Sequence, residues 1–402
     1  MTTDVPAALR SIQKELSAFF LERDDVIEGM LMALLSKQHN FMLGPPGTAK
    51  SSLVRALVSH IKGARYFETA LSRTRPEAAV LGQWDLPLLR QGIFVRKIDD
   101  YLPTADLAFL DEIGKISMAL GHDLLSILNE RRIHQVEKGQ SWLEVPLSTA
   151  FTGSNELIQD DSEEGAALWD RLLIRDVVAP IQEESNFSRL LKLDDYVPST
   201  TVDWGDLQKV INVEVPKIAL TSEVIDAANT LRNALAEADV TASDRRWRQS
   251  MNVLRASAYL WGRPETRVDD CQMLTHTLWN SPEQIAIVQR QVLQVSDPKV
   301  EALNAIQDQV KQILKKVKDL EGRALEDRGQ YAVEIVPILR QARRAVATAR
   351  EDATRAGRSL TAIEATSSKV DAAYMEVLIK LMNFSQENAR RSLDKGGEEP
   401  AK

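Results

Sequence analysis

The sequence predicts an α/β protein: a doubly wound parallel-sheet core, then an all-helical region, then a segment of long helices. Three observations carry this. The apolar run Phe41-Met42-Leu43 leads straight into Gly44-Pro45-Pro46-Gly47-Thr48-Ala49-Lys50-Ser51, a strand entering a glycine-bearing loop and then a helix. Further on, Leu107-Ala108-Phe109-Leu110 ends in Asp111-Glu112, a strand closing on two adjacent carboxylates. Beyond residue 299, apolar residues recur at near-heptad spacing in a charged, alanine-rich background.

The elements follow in order. Residues 6–22 place Leu9, Ile12, Leu16 and Phe19-Phe20 on one helical face, and a second helix over 24–37 leads into the first strand. The loop at 44–51 suits a triphosphate. Such a ligand needs inward-facing backbone N–H groups, little side-chain bulk and the positive end of a helix dipole. Gly44 and Gly47 allow the close approach, Thr48 and Ala49 complete the loop, and Ser52 lies in the first helical turn. Lys50 can reach the β- and γ-phosphates, and the Ser51 hydroxyl can bind Mg²⁺. The strict pattern has a second glycine where Ala49 stands. Alanine adds one methyl and tolerates helical angles, so the loop reads as a variant. A plain Gly/Pro turn before a helix is the simpler alternative.

The strand ending at Asp111-Glu112 makes that alternative less economical, because it brings both carboxylates to the carboxyl edge of a parallel sheet, beside the loop. Asp111 would hold Mg²⁺ through water, and Glu112 would act as general base on the attacking water. Thr149–Ser154 is a further strand, ending at Asn155. That side chain could bond the γ-phosphate and the water, or simply make a turn. Arg171, in Trp169-Asp170-Arg171, reads as a finger for a neighbouring subunit's γ-phosphate or as half of a surface pair with Asp170. Ser243 or Asp244 would cap a helix whose first turn carries Arg245, able to fold over the nucleotide, with Arg246 as the competing choice.

Composition sets outer bounds. The 402 residues carry a formal net charge of −8 and are 44% hydrophobic, which suits a globular chain and disfavours non-specific nucleic-acid binding. Cys271 is the single cysteine, so no intrachain disulfide can form, in keeping with a reducing, cytoplasmic setting. Met1–Pro6 does not open a signal peptide, and no apolar run approaches the ~18–20 residues that span a bilayer. His39, His60, His122, His134 and His276 are scattered and suggest no zinc site. Trp84, Trp142 and Trp247 read as packing or hairpin residues.

The pattern divides the chain into a nucleotide-binding core at 1–190, an all-helical lid at 191–297 and a helical arm at 298–402. Three stripes of the arm run through Val300–Leu320, Ile335–Ala349 and Val370–Leu381, predicting a helical hairpin or a three-helix bundle. Pro337 is expected to kink the second helix, and Gly396–Lys402 to be disordered.

Taken together, the motifs resemble those of the MoxR group of AAA+ ATPases, and within it the RavA branch. The matching pieces are residues 44–51, Phe109-Leu110-Asp111-Glu112-Ile113, Leu128-Asn129-Glu130-Arg131, Ser154-Asn155-Glu156, Asp170-Arg171-Leu172-Leu173-Ile174-Arg175 and Ser243-Asp244-Arg245-Arg246-Trp247. The resemblance covers roughly residues 6–295. It implies a P-loop ATPase using ATP and Mg²⁺ and assembling as a homo-oligomeric, hexameric ring. It also implies Asn155 as sensor 1, Arg171 as the finger, Arg245 as sensor 2 and Leu21 near the adenine. Residues 82–100 would form the helix-2 insertion and 131–146 the pre-sensor hairpin, both facing a central channel. The expected partner carries a von Willebrand factor A domain, and the expected activity is chaperone-like remodelling or maturation of a protein complex. The RavA pattern includes a small β-rich module for which 298–384, helical throughout, leaves no room. That removes the ground for partners bound through the module, notably the inducible lysine decarboxylase. A nucleic-acid motor and a nucleotide-switched scaffold are the alternatives.

Overall fold

A computed structural model describes residues 4–116, 118–137, 140–158, 163–296, 300–322, 325–356 and 361–394. The chain forms two compact units, Met1–Val292 and Leu293–Lys402.

The first unit is built on five strands: β1 (Asn40–Leu43), β2 (Tyr66–Ala70), β3 (Leu107–Asp111), β4 (Thr149–Ser154) and β5 (Ile174–Val177). Their order is β5-β1-β4-β3-β2, and every pairing is parallel. β4 is buried at all six positions, as a strand covered on both faces must be. Two registers place the site. Leu43 pairs with Ser154, and Leu110 with Thr152, so the carboxyl ends of β1, β4 and β3 adjoin.

Helices pack around the sheet. The first, α1 (Val5–Phe19), is capped by Asp4 and buries Val5, Leu9, Ile12 and Leu16, the face expected from spacing. It stops short of residue 22 because the chain turns there: Glu22 takes a positive φ of 59°. α2 (Asp24–Ser36) is almost wholly buried, ends on Lys37 in the left-handed region and packs against β5. α3 (Lys50–Ser59) follows β1, α4 (Met118–Glu130) follows β3, and α5 (Glu163–Arg171) precedes β5. Residues 82–100 form a small antiparallel pair, Gln83–Trp84 with Arg96–Lys97, flanking the short helix Leu86–Leu89. Arg132–Glu137 and Gln140–Glu144 pair as an antiparallel hairpin.

The helical part of the unit holds α6 (Ser222–Glu237), α7 (Asp244–Leu260), a 3₁₀ run over Val268–His276 and the start of α8 (Ile285–Ser296), which the unit boundary after Val292 divides. It is tied to the sheet through a buried cluster. His276 Nδ1 lies 2.7 Å from Asp176 Oδ1, and Asn40 Nδ2 donates to Asp176 Oδ2 at 2.6 Å. Burial opposes the charge on His276, but the Asp176 carboxylate outweighs it and lifts the imidazole to about 9. Burial, helped by the nearby carboxylates of Asp25, Asp176 and Asp24 and opposed by His276, pushes Glu28 up to about 7.

In the second unit, α9 (Val300–Leu320), α10 (Leu325–Ala356) and α11 (Thr361–Glu376) pack on one another, and α12 (Gln386–Asp394) adds a fourth, short helix. Their core includes Val310, Val317, Leu339, Val346, Val370, Tyr374 and Leu381, residues of all three stripes. The bundle, rather than a hairpin, is therefore the arrangement formed. α10 runs through Pro337 as a single element. The contact boundary between the units falls after Val292, whereas the sequence pattern changes at 298; Pro298 and Gly396–Lys402 lie outside the described residues.

Candidate nucleotide site

The loop from Gly44 to Ala49 is shaped by its neighbours. A Cβ added at Gly44 would lie 2.2 Å from the Val178 carbonyl oxygen, so only glycine fits where β1 leaves the sheet. Gly47 takes a φ of +81° in open space. Thr48 Oγ1 donates to the Pro45 carbonyl at 2.9 Å and folds the loop on itself. Ala49 is the helix N-cap and lies in the left-handed region at φ 70°, ψ 19°. The expectation that it adopts helical angles is corrected here: the loop turns left-handed at this residue to aim α3, and the methyl is tolerated at a cost of ~1 kcal/mol. No side chain caps α3. Its first N–H groups are thus left for an anion. Ser51 is half-buried and Ser52 exposed in that first turn.

Lys50 connects the loop to the neighbouring strands. Its Nζ donates to the Gly44 carbonyl at 2.6 Å, the Pro45 carbonyl at 3.1 Å and Asn155 Oδ1 at 3.2 Å. Burial lowers its affinity for the proton, while Asp111 and Glu112 act in the opposite sense. Asn155 Nδ2 in turn donates to Glu112 Oε1 at 2.6 Å. Only this orientation of the amide serves both partners, since the flipped one would set two acceptors and two donors face to face. Glu112 itself stands at φ 56°, in the left-handed region, directly after β3. Its backbone N–H donates to Asp111 Oδ1 at 3.0 Å.

Two further residues shape the site, and the motif reading passed over both. A Cβ on Gly153 would lie 2.6 Å from Asp111 Oδ1 and 3.5 Å from Lys50 Cε. The absent side chain in β4 is what lets the lysine and the aspartate share one space. A glycine inside an otherwise apolar strand is the signal that could have found it. The other is Lys115, whose Nζ lies 3.0 Å from Glu112 Oε2.

Ser51 and Asp111 offer a hydroxyl and a carboxylate, hard oxygen donors of the kind Mg²⁺ takes alongside phosphate oxygens and water. Among the described residues there is no cluster of three or more His, Cys, Asp or Glu that could hold a metal by itself. Leu21 is buried in the turn between α1 and α2. That turn is pinned by Arg23 Nη2, which donates to the Ala179 carbonyl at 2.5 Å, and by Glu22, which accepts from the Gln182 and Glu183 N–H groups at 2.8 and 3.0 Å. Ala179 follows Val178, the residue against Gly44, so the α1–α2 turn is bonded to the chain just past that contact.

The arginines divide differently. Arg171, at the end of α5, donates to the Ala167 carbonyl at 2.5 Å. Arg245 pairs with Asp170 at 3.4 Å, and Ser243 Oγ donates to the same carboxylate at 2.7 Å. Burial disfavours the charge on Arg171, and Arg245 lies close enough to add to this. These partners place Arg245 beside Arg171 rather than against the Gly44–Ser51 loop. Arg246 is buried and donates to the Thr277 and Trp279 carbonyls at 3.1 and 3.0 Å. It fastens α7 internally, which leaves Arg245 as the exposed member of the pair. Ser243, not Asp244, caps α7 by accepting from the Arg246 N–H.

Comparison with known proteins agrees with this geometry. Residues 7–199 match the family described as the MoxR domain in the MoxR-vWA-beta-propeller ternary systems, and residues 223–292 match an AAA lid domain. The chain belongs to the MoxR group of AAA+ ATPases. Two uncharacterised proteins of Methanocaldococcus jannaschii are similar to this MoxR chain. One is 36% identical over 73% of this chain and 76% of its own length; the other is 35% identical over 76% and 83%. A candidate ATPase from Cytophaga hutchinsonii shares the fold, with a TM-score of 0.54 over 72% of this chain and 93% of its own at 16% identity. The α/β AAA+ core with a helical lid is thereby established, and so is membership of an ATP-hydrolysing family. Among the described residues, no helix is long and apolar enough to cross a membrane.

Proposed function

We propose that this MoxR-group protein binds ATP at the Gly44–Ser52 segment, hydrolyses it with Glu112 as general base, and works as a ring, hexameric by the family resemblance, that remodels or matures a partner complex. The observation that carries the catalytic part is the hydrogen-bond chain Lys50–Asn155–Glu112, which links the phosphate loop to the base through one amide. In the reaction, water loses a proton to Glu112 as its oxygen attacks the γ-phosphorus. The bond to the bridging oxygen breaks, ADP departs with the electron pair, and phosphate is released. Asn155 orients the water, and Lys50 offsets charge on the β- and γ-phosphates. Mg²⁺, held by Ser51 and through water by Asp111, would supply further neutralisation of the triphosphate.

Arg171 and Arg245 stand together at the end of α5, with Asp170 between them. This supports a reading in which both serve the nucleotide of a neighbouring subunit, Arg171 as the finger and Arg245 as sensor 2. Net acidity favours a protein client over nucleic acid. The printed description of the matched family favours a von Willebrand factor A domain partner, and the helical second unit offers surface for it. The RavA likeness rests on motifs alone. A cytoplasmic location fits the lone, buried Cys271.

Steady-state ATPase assays with and without DNA test the proposal. Glu112→Gln should bind ATP normally and turn over at least ~100-fold more slowly. Activity should rise with protein concentration, and Arg171→Ala should lose roughly 10³-fold in turnover. Mixing Arg171→Ala with Lys50→Ala subunits should restore part of it, because each brings the half the other lacks. No rescue in rings shown to be mixed would remove the trans reading, and stimulation by DNA would favour the nucleic-acid motor.

A further inference from the structure

Both oxygens of the Glu112 carboxylate are engaged. Oε1 accepts from Asn155 Nδ2 at 2.6 Å, and Oε2 faces Lys115 Nζ at 3.0 Å. The backbone explains the second contact. Glu112 at φ 56° opens the 3₁₀ turn Ile113–Lys115, and the Lys115 N–H donates to the Glu112 carbonyl at 2.9 Å. A turn of three residues per revolution brings side chains at i and i+3 to the same side, so Lys115 folds back over its own glutamate. The Glu112 carboxylate beside it holds the ammonium above the ordinary lysine range, and Glu156 and Asp111 add to this from nearby.

The contacts form a continuous sequence: Lys50 to Asn155, Asn155 to Glu112, Glu112 to Lys115. A general base must present a lone pair to water and follow the proton it takes. In this arrangement one carboxylate oxygen accepts a hydrogen bond and the other lies in ion-pair contact with an ammonium. We infer that Lys115 is a positioning residue for the base: it holds Glu112 in a resting pose, and turnover requires it to release the carboxylate. Glu156, within its electrostatic reach, is the acceptor for the released ammonium. The order of events follows from charge. A bound γ-phosphate competes with Asn155 for Lys50. The amide of Asn155 then turns to phosphate and water, and Lys115 is left as the last restraint on Glu112.

The hold is weak by construction, because the Lys115 side chain is 44% exposed. Exposed ion pairs contribute little, and losing one should change turnover by about two- to five-fold. Lys115 is a restraint that sets the resting rate, not an on–off switch.

The inference rests on Glu112 being the base, and the test separates the two. Steady-state kcat and KM for ATP, with affinity for a fluorescent ATP analogue, are measured on the full-length protein and on Lys115→Met, Lys115→Arg, Glu156→Gln and Glu112→Gln. Lys115→Met should raise kcat about two- to five-fold with KM and nucleotide affinity unchanged. Lys115→Arg, which keeps the charge, should retain the original rate. Glu156→Gln should lower kcat, because the ammonium loses its second partner. A fall or no change in kcat for Lys115→Met, or a change confined to KM, overturns the inference while leaving the base in place. Near-normal turnover by Glu112→Gln overturns the base itself.

Discussion

Asn155 donates its amide to Glu112 Oε1 across 2.6 Å, joining the end of β4 to the end of β3. The same side chain accepts from Lys50 at 3.2 Å. One residue therefore links the Lys50 loop to the carboxylate proposed to act on water. Asn155→Ala should lower kcat by about 10²-fold, the scale of one lost preorganised hydrogen-bond donor, with KM for ATP little changed. Single-turnover kinetics would check it. A large rise in KM with kcat preserved would place Asn155 in binding and not in the chemical step.

Gly153→Ala should be poorly tolerated. Its methyl would meet Asp111 Oδ1 at 2.6 Å and Phe109 Cζ at 3.3 Å, both on the neighbouring strand. Overpacking of this kind costs about 1–3 kcal/mol. The displaced atom is a proposed Mg²⁺ ligand, so stabilisation of the fold by Mg-ATP in thermal melts should shrink as well. A melt identical to the parent, with and without Mg-ATP, would refute the contact.

Ala49→Gly should stabilise the protein. Alanine at φ 70° carries a left-handed penalty that glycine escapes. Glycine has the more flexible unfolded chain, so the net gain should stay below ~1 kcal/mol. The β-branched Ala49→Val should move stability the other way by more than that. Denaturation midpoints of the three proteins, compared without nucleotide, decide the matter.

The His276–Asp176 pair predicts a loss of stability in mild alkali. The folded imidazole titrates at about 9, above its ordinary 6.5. The contribution is therefore complete below pH 6.5 and is lost as pH rises through 9. Glu28, raised to about 7 by burial, acts in the same direction between pH 4.5 and 7, since the folded state holds its proton longer than the unfolded chain. Melting temperatures from pH 6 to 10 should fall, and His276→Gln should flatten the upper part of the curve by an amount on the order of 1–3 kcal/mol. An unchanged slope in that variant would show that the pair contributes no pH dependence.

Much of the core was legible because its chemistry is local. A glycine loop between an apolar strand and a helix, and a strand ending in Asp111-Glu112, each need only a few consecutive residues. The parallel sheet follows from their alternation with helices. The stripes of α9, α10 and α11 are likewise local, since one apolar face per helix demands a partner. Less legible was whatever depends on residues far apart in sequence. Spacing favoured Arg245 but left Arg246 as a competing choice; the carbonyls of Thr277 and Trp279 take Arg246 into the interior and leave Arg245 outside with Asp170. Ala49, standing where the loop pattern has a second glycine, reads as tolerating helical angles, yet it lies in the left-handed region as the chain passes from β1 into α3. Gly153 and Lys115 drew no notice, because their roles lie in what Asp111, Lys50 and Glu112 place around them. The sequence by itself determined the phosphate loop, the carboxylate pair and the order of strands and helices, since hydrophobic period and backbone freedom act over a few residues. The tertiary structure alone decided which arginine stays at the surface and what surrounds the Glu112 carboxylate. Burial and hydrogen-bond partners are set by whichever distant segment fills the neighbouring space.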